Sequence, residues 1–430
     1  MTLKDLTSWV QSLPGVSAWE IRQLWKKSYQ RYFIFDQIES QRLVETEKFI
    51  VTLYKKYEYQ RKKVLGESTV SLSEGDNAKE RLDLGLEMAA MVANPIFHLP
   101  GKGLSYGQVQ TVDPEVRDHP LFYLDRIQED LLKMPLKKVK RSSVEVFIEK
   151  KEIFLINSNR LEKEGASTEI IVDFVLLSEK GPSLEGECQG AKRTRFYQDL
   201  HLTEMVQRYA QYAREALEAR LPREGSYPVV FSEEALDTLF NFFCLQSSGP
   251  ACFQNWSNLA IGQPVISDLK GEALNLSSNP CLPGGIKSRA FDDNGLPLYG
   301  VNVIQNNIFQ KRMNSKRYAD YLEEEATGEF SNIEVAPGSK SSKDLFEVPC
   351  YHLLRFSTFD PNPVTGAFSG EIRTGYFLQD GQKIPIKGGS VSGTMQKAFK
   401  EAFFSRERIQ REAYLGPEAV RIERLDIAGI

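Results

Sequence analysis

Histidine is scarce in this chain of 430 residues: there are four, His98, His119, His201 and His352. That thins the supply of imidazole for general acid–base or metal chemistry. Cysteine is nearly as scarce, with Cys188, Cys244, Cys252, Cys281 and Cys350 making five, and no two stand in a CxxC spacing. An odd, dispersed set fits reduced thiols in a reducing compartment better than a disulfide framework or a zinc knuckle, and it favours the cytoplasm. No stretch approaches the ~18 to 20 apolar residues of a membrane helix. The opening MTLKDLTSWVQSLPG has Asp5 where a signal peptide needs an apolar run, so a soluble, cytoplasmic protein is expected. No charge sign dominates: 54 Lys plus Arg against 58 Asp plus Glu leave a formal net charge of -4, which offers no global basic field for nucleic acid. With 41% hydrophobic and 26% charged residues the composition is globular.

Hydrophobic spacing divides the chain into three units, an N-terminal α/β unit over residues 1–110, a middle α+β unit over 111–226 and a mostly β C-terminal domain over 227–430. The fold class expected is α+β, with mixed α/β N-terminal and middle units. Helical periodicity predicts a helix over Leu3 to Leu13 and, beyond Pro14-Gly15, a second from Trp19 to Tyr32. Strand-like runs follow at 32–38, 49–54 and 64–72, then an alanine- and leucine-rich stretch from Asn77 to Val92 that Pro95 closes, and a Gly-rich connector from His98 to Pro114. In the middle unit a short helix around Leu124 to Leu132 precedes alternating segments at 144–149, 153–157 and 169–177, and Thr203 to Arg220 is an amphipathic helix. The C-terminal domain opens on the strand PVVFS, and Ser232 is placed to cap a helix from Glu233 to about Gln246. Asn306-Asn307 and Asp380-Gly381 mark hairpin turns.

Several constellations carry chemistry in principle. His201 and Glu204, three apart at a helix start, offer two metal ligands, but nothing nearby supplies the third that a catalytic zinc needs, so a helix-entry pair is the simpler reading. Cys350 and His352 share one face if YHLLRF is a strand, which is the spacing of a thiol and its base, although strand cysteines are more often buried hydrophobes. In Phe291-Asp292-Asp293-Asn294-Gly295 the adjacent carboxylates point to opposite faces of a strand, and an Asx turn is favoured. GKGLSYG and APGSKSSK miss the spacing of phosphate-binding loops. The basic runs at Arg61 to Lys63 and Lys137 to Arg141 are short and are expected to be solvated surface.

The C-terminal unit resembles the TldD/PmbA family, also known as modulators of DNA gyrase or TldD/TldE metalloproteases. The resemblance rests on an ordered series: PVVFSEEALDTLF, GGIKSRAFDDNGLP, VNVIQNNIFQ, ADYLEEEATGEFSN, SSKDLFEV, TGAFSGEIRTGYFLQDGQKIP, VSGT and RIERLDIAG. EIFLINSNRLEKEGASTEIIVDF and the helix ending YAREALEAR are similar to the family's central region. Catalytic members are zinc peptidases with HExxxH on the helix after the PVV-like strand. Two neutral imidazoles there hold zinc, and the glutamate takes a proton from the metal-bound water. Laid on LFNFFCLQSSG, that pattern sets Asn241 at the first histidine, Phe242 at the glutamate and Gln246 at the second histidine. Residues 233–260 contain no histidine, and the closing EAYLGPEAVRIERLDIAGI lacks the family's C-terminal cysteine ligand. The resemblance therefore implies a TldE/PmbA-like member with no catalytic residue, no metal ligand and no cofactor of its own. It further implies a dimer, with a TldD-like zinc-bearing subunit or with itself, that helps bind and position unfolded peptides. Leu236, Leu239, Phe240, Phe243 and Cys244 would then make the helix a packing element. The alternatives are a free-standing hydrolase of unrecognised chemistry and a regulator acting on DNA gyrase.

Overall fold

The structure, a computed structural model, describes residues 1–181, 185–347 and 349–430. Its architecture is α+β with a largely β C-terminal part. Helix α1 (Leu3–Ser12) starts at a capping box in which the Thr2 hydroxyl accepts from the Asp5 N–H and the Asp5 carboxylate accepts from the Thr2 N–H. Strands β1 (Ala18–Ile34), β2 (Gln37–Tyr59) and β3 (Lys62–Leu72) follow as an antiparallel meander, then helices α2 (Ala78–Ala89), α3 (Pro114–Asp118) and α4 (Pro120–Lys133). Strands β4 (Lys140–Asn157), β5 (Glu162–Glu179) and β6 (Glu185–Thr194) form a second meander, closed by α5 (Leu202–Glu215). Because β1 pairs with β4 from Glu20↔Asn157 to Ile34↔Ser143, the two meanders fuse into one six-stranded sheet of order β3-β2-β1-β4-β5-β6. The residues expected to form the N-terminal and middle units thus contribute three strands each to a single sheet. Helices α1 and α2 bury Leu6, Val10, Leu82 and Leu86 against Ile21 and Val51 at one end of it. Helices α4 and α5 bury Leu124, Ile127, Val206 and Tyr209 against Val146 and Val172 at the other.

The second opening helix is a correction: residues 18–34 are β1. Trp19, Glu20 and Ile21 are buried in succession, Trp19 and Ile21 within the α1/α2 core. With both faces covered, the alternation that identifies a strand is lost there, and the aromatic residues imitate helical spacing. The segments expected at 144–149 and 153–157 are one continuous strand, β4, and the amphipathic helix α5 ends at Glu215 rather than Arg220.

The C-terminal part comprises β7 (Gly225–Ser232), α6 (Glu234–Gln246), α7 (Gly249–Phe253), β8 (Leu276–Asn279), β9 (Val301–Gln305), β10 (Ile308–Phe309), α8 (Lys316–Leu322), β11 (Asn332–Val335) and α9 (Ser342–Leu345). It continues with β12 (Cys350–Phe359), β13 (Ala367–Gln379), β14 (Gln382–Ile386), β15 (Ser390–Thr394), α10 (Met395–Lys400), β16 (Ala402–Phe404), β17 (Arg408–Arg411), β18 (Tyr414–Pro417) and β19 (Ala419–Ala428). One sheet runs β10-β9-β8-β11-β18-β17, and the other runs β12-β7-β19-β15-β13-β14, with β16 added on β19. Strand β12 also pairs with β13, so β12, β7, β19, β15 and β13 close into a ring. The main core gathers side chains from both sheets and from α6. The expected hairpins are present at Asn306-Asn307 (φ 49° and 63°) and Asp380-Gly381 (φ 51° and 72°), the positive values that a tight two-residue hairpin turn requires.

Candidate functional site

Helix α6 is the element on which the resemblance places chemistry. It leaves β7 through Glu233, whose φ of 56° and ψ of -128° are a strained conformation for a residue with a Cβ, costing of order 1–3 kcal/mol. Ser232 is not the helix cap: Glu233 holds that position, with no side-chain cap bond. The Ser232 hydroxyl lies 2.6 Å from His352 Nε2 instead. The sequence could not show this, because the competing partner is 120 residues away in the chain. Glu233 is 8% exposed; its Oε1 accepts from the Tyr212 hydroxyl at 2.7 Å, while its Oε2 is buried without a partner.

The inward side of α6 is wholly committed to packing. Leu236, Leu239, Phe240 and Phe243 have no exposed surface, and Cys244 is buried. Phe240 stacks on Tyr414 with ring centroids 5.7 Å apart, and Phe243 meets Phe399 edge-on at 4.6 Å. The other side, Thr238, Asn241, Phe242 and Leu245, follows the spacing of one helical face and lines a cleft of about 560 Å³. Met313, Tyr318, Phe330 and Pro361 are among the residues that complete its walls, and the charged residues lining it are Glu329 and Asp360.

The three positions singled out in the sequence have three different environments. Asn241 is exposed in the cleft, and Phe242 is buried there with its ring against Phe243 at 5.4 Å. Gln246 fastens loops: its amide Nε2 donates to the carbonyls of Trp256 at 3.0 Å and of Pro363, tying the two flanking segments to the helix end. This donor set does not fit zinc. Carboxamides are poor ligands, the one at Gln246 has its N–H groups bound to carbonyls, and a phenyl ring neither ligates nor accepts a proton. Among the described residues no group of three or more His, Cys, Asp or Glu side chains is placed to hold a metal ion.

The other candidates separate in space. His201 sits in the left-handed region (φ 44°) at the start of α5, exposed, with Glu204 also exposed one turn on. Cys350 packs with Val230, Leu345 and Ala419, where burial raises its thiol pKa, and it has no thiolate character at neutral pH. His352 is pushed down to about 3 by burial and by Lys383, so a neutral ring faces Ser232. The pair therefore shares a strand without forming a thiol–base couple. Asp292 makes the expected Asx turn, its Oδ1 accepting from the N–H groups of Asn294 and Leu296.

A feature the sequence does not announce is a groove of about 1590 Å³ against the long sheet. Leu24 and Trp25 of β1, Glu47 of β2, Ile153 of β4, Val109 of the connector and Phe291 of the C-terminal part all line it. The FDDNG turn fixes one wall: Asn294 Nδ2 donates to Glu20 at 3.2 Å, and Arg22 pairs with Asp293 at 3.0 Å. No motif marks a surface assembled from segments so far apart.

Residues 224–429 match the family model of the PmbA/TldA metallopeptidase C-terminal domain. An uncharacterized protein of Methanocaldococcus jannaschii is 23% identical over 278 residues, which is 62% of this chain and 64% of that protein. A zinc metalloprotease TldD homolog of Saccharolobus solfataricus is 22% identical over 303 residues, 66% of this chain and 63% of that protein. The chain thus spans a little under two thirds of the length of these curated relatives. Among solved structures, TldE from Thermococcus kodakarensis has a TM-score of 0.79 at 17% identity, covering 99% of this chain and 100% of that one. A Thermotoga maritima protein described as a candidate modulator of a DNA gyrase has a TM-score of 0.81 at 18% identity, covering 99% and 100%. At these identities the two likenesses establish a shared fold.

Proposed function

From the match of residues 224–429 to the PmbA/TldA metallopeptidase C-terminal domain, we propose that this chain is the noncatalytic, TldE/PmbA-like subunit of a TldD/TldE-type metallopeptidase, which helps bind and position unfolded peptides. The observation that carries this reading is the state of α6. Its packing face is intact, with four side chains at 0% exposure, while its cleft face presents Asn241 and Phe242 and its end is fastened through Gln246. A helix kept for packing and stripped of donors is what a subunit needs when its partner supplies the zinc-bound water. The groove over β1, β2, β4 and β5 has the volume for several residues of a peptide, and its mixture of apolar and oppositely charged side chains would select weakly among sequences. The partner in this reading is a TldD-like, zinc-bearing subunit, and the compartment is the cytoplasm. Among the described residues no helix is long and apolar enough to cross a membrane.

The test is reconstitution. Each subunit is purified alone and then mixed, and cleavage of an unfolded protein such as reduced casein is followed. The proposal expects co-purification and proteolysis by the mixture well above that of either component. Turnover by this chain alone through a bound metal would refute it. A free-standing hydrolase would have that signature.

A further inference from the structure

The cleft on α6 is lined by Asn241 and Phe242 and contains no imidazole. Phe242 forms part of its floor at 7% exposure, and Leu245, Met313, Tyr318 and Phe330 give it apolar walls. Further exposed apolar side chains stand near the helix end. Leu245 is 38% exposed, and Trp256 and Val364, at 42% and 56%, stand on the two loops that Gln246 ties to the helix end. Exposed apolar side chains at and near a concave site mark a place for another chain's side chains. The charge at the rim has one sign. Asp360 is exposed and Glu329 is half-buried in a pair with Arg289 at 2.8 Å, and no Lys or Arg is among the residues lining the cleft. An anionic ligand such as a nucleotide or phosphate is therefore disfavoured, and a small neutral ligand would leave Asp360 without a partner.

We infer that this cleft holds one bulky apolar side chain of an extended polypeptide, with a Lys or Arg beside it directed to Asp360. The inference deepens the peptide-positioning role proposed above and rests on it only for the class of ligand. The side chain of Phe242 contributes the surface against which the guest packs, so the position that bears a glutamate in zinc-bearing relatives becomes part of a selectivity pocket.

The experiment uses the full chain and three fluorescein-labelled hexapeptides that differ at the central pair: Phe-Lys, Ser-Lys and Phe-Glu. Fluorescence anisotropy should show the Phe-Lys peptide binding about 10-fold tighter than either of the others. Leu245→Asp, a change at a partly exposed position that leaves the packing face alone, should remove that advantage without changing the melting temperature. Asp360→Lys should reverse the preference between Phe-Lys and Phe-Glu. Equal affinity for the Phe-Lys and Ser-Lys peptides, or undiminished binding by Leu245→Asp, would overturn the inference. Running the same variants in the reconstituted mixture separates the two levels. If the mixture cleaves peptides but Leu245→Asp leaves its preference for Phe-Lys unchanged, the pocket is wrong and the subunit role stands. If this chain adds nothing to the zinc-bearing subunit while the anisotropy preferences hold, the pocket stands and the subunit role is wrong.

Discussion

The two faces of α6 share one backbone and have opposite fates. On the inward face Leu236, Leu239, Phe240 and Phe243 are sealed among aromatic rings from β16, β18 and α10. On the outward face Thr238, Asn241 and Leu245 line a cleft. Packing constrains a side chain's volume and polarity to within a methylene, whereas a cleft constrains it only through what binds there. Such a helix keeps its place in the fold whatever its outward face carries, because the residues that hold it are not those that line the cleft. The same contrast explains why the fold is shared at 17–18% identity with solved relatives.

The contrast is broken most directly by truncation on each side. Phe240→Ala should cost about 3–5 kcal/mol in denaturant unfolding, because it empties a site between Phe399, Phe404 and Tyr414. Leu245→Ala, made where the side chain is 38% exposed, should cost less than about 1 kcal/mol. Similar costs would erase the distinction. Gln246 belongs to neither face. Gln246→Ala leaves the carbonyls of Trp256 and Pro363 without their donor, so about 1–3 kcal/mol is expected, together with faster hydrogen exchange in both flanking loops.

The pH of such measurements matters because of the seam where the FDDNG turn meets β1. Glu20 and Asp292, at 2% and 1% exposure, are each pushed up to about 7, chiefly by burial. In the unfolded chain carboxyls release their protons near pH 4. Between about pH 4 and 7 the native state binds more protons, so this contribution to stability is present below that window and lost as pH rises through it. Glu20→Gln, which keeps an acceptor for Asn294, should flatten the fall in melting temperature from pH 5 to 7.5, and an unchanged slope would contradict the assignment. His352 works in the opposite direction. Its native value of about 3 lies below the ordinary imidazole value, so its contribution is lost as pH falls from about 6.5 toward 3. The smallest effect belongs to Asn241→Ala, expected within about ±0.5 kcal/mol on stability.

Much of the C-terminal domain was legible in the sequence, because its turns carry their own chemistry. Asn306-Asn307 and Asp380-Gly381 adopt the positive φ values that these residues tolerate, and Asp292 closes the Asx turn its neighbours invite. The same type of turn at Phe35-Asp36 and Gln60-Arg61 has no such signature, so the long β1–β2–β3 hairpins were hidden. Strand β1 was hidden further by burial on both faces at Trp19, Glu20 and Ile21. Of the blocks that carried the resemblance, SSKDLFEV ends on Val348, outside the described residues. At the candidate site, the apolar positions of α6 were legible from their spacing, but the partners were not. Gln246 reaches Pro363, His352 reaches Ser232, and the groove draws on eight separate segments, all contacts between residues far apart in the chain. Local pattern carries period and turn type, and it holds no record of which distant group competes for a side chain.

If a metallopeptidase scaffold persists here without the atoms that grip the ion, the purified full chain should be free of zinc. Zinc content is read by mass spectrometry after exchange into metal-free buffer, with peptide cleavage assayed on the same sample. Zinc far below one ion per chain and no cleavage are expected. One tightly held zinc per chain, displaced by substitution at Asn241 or Gln246 and required for cleavage by this chain alone, would show that the scaffold has kept its chemistry.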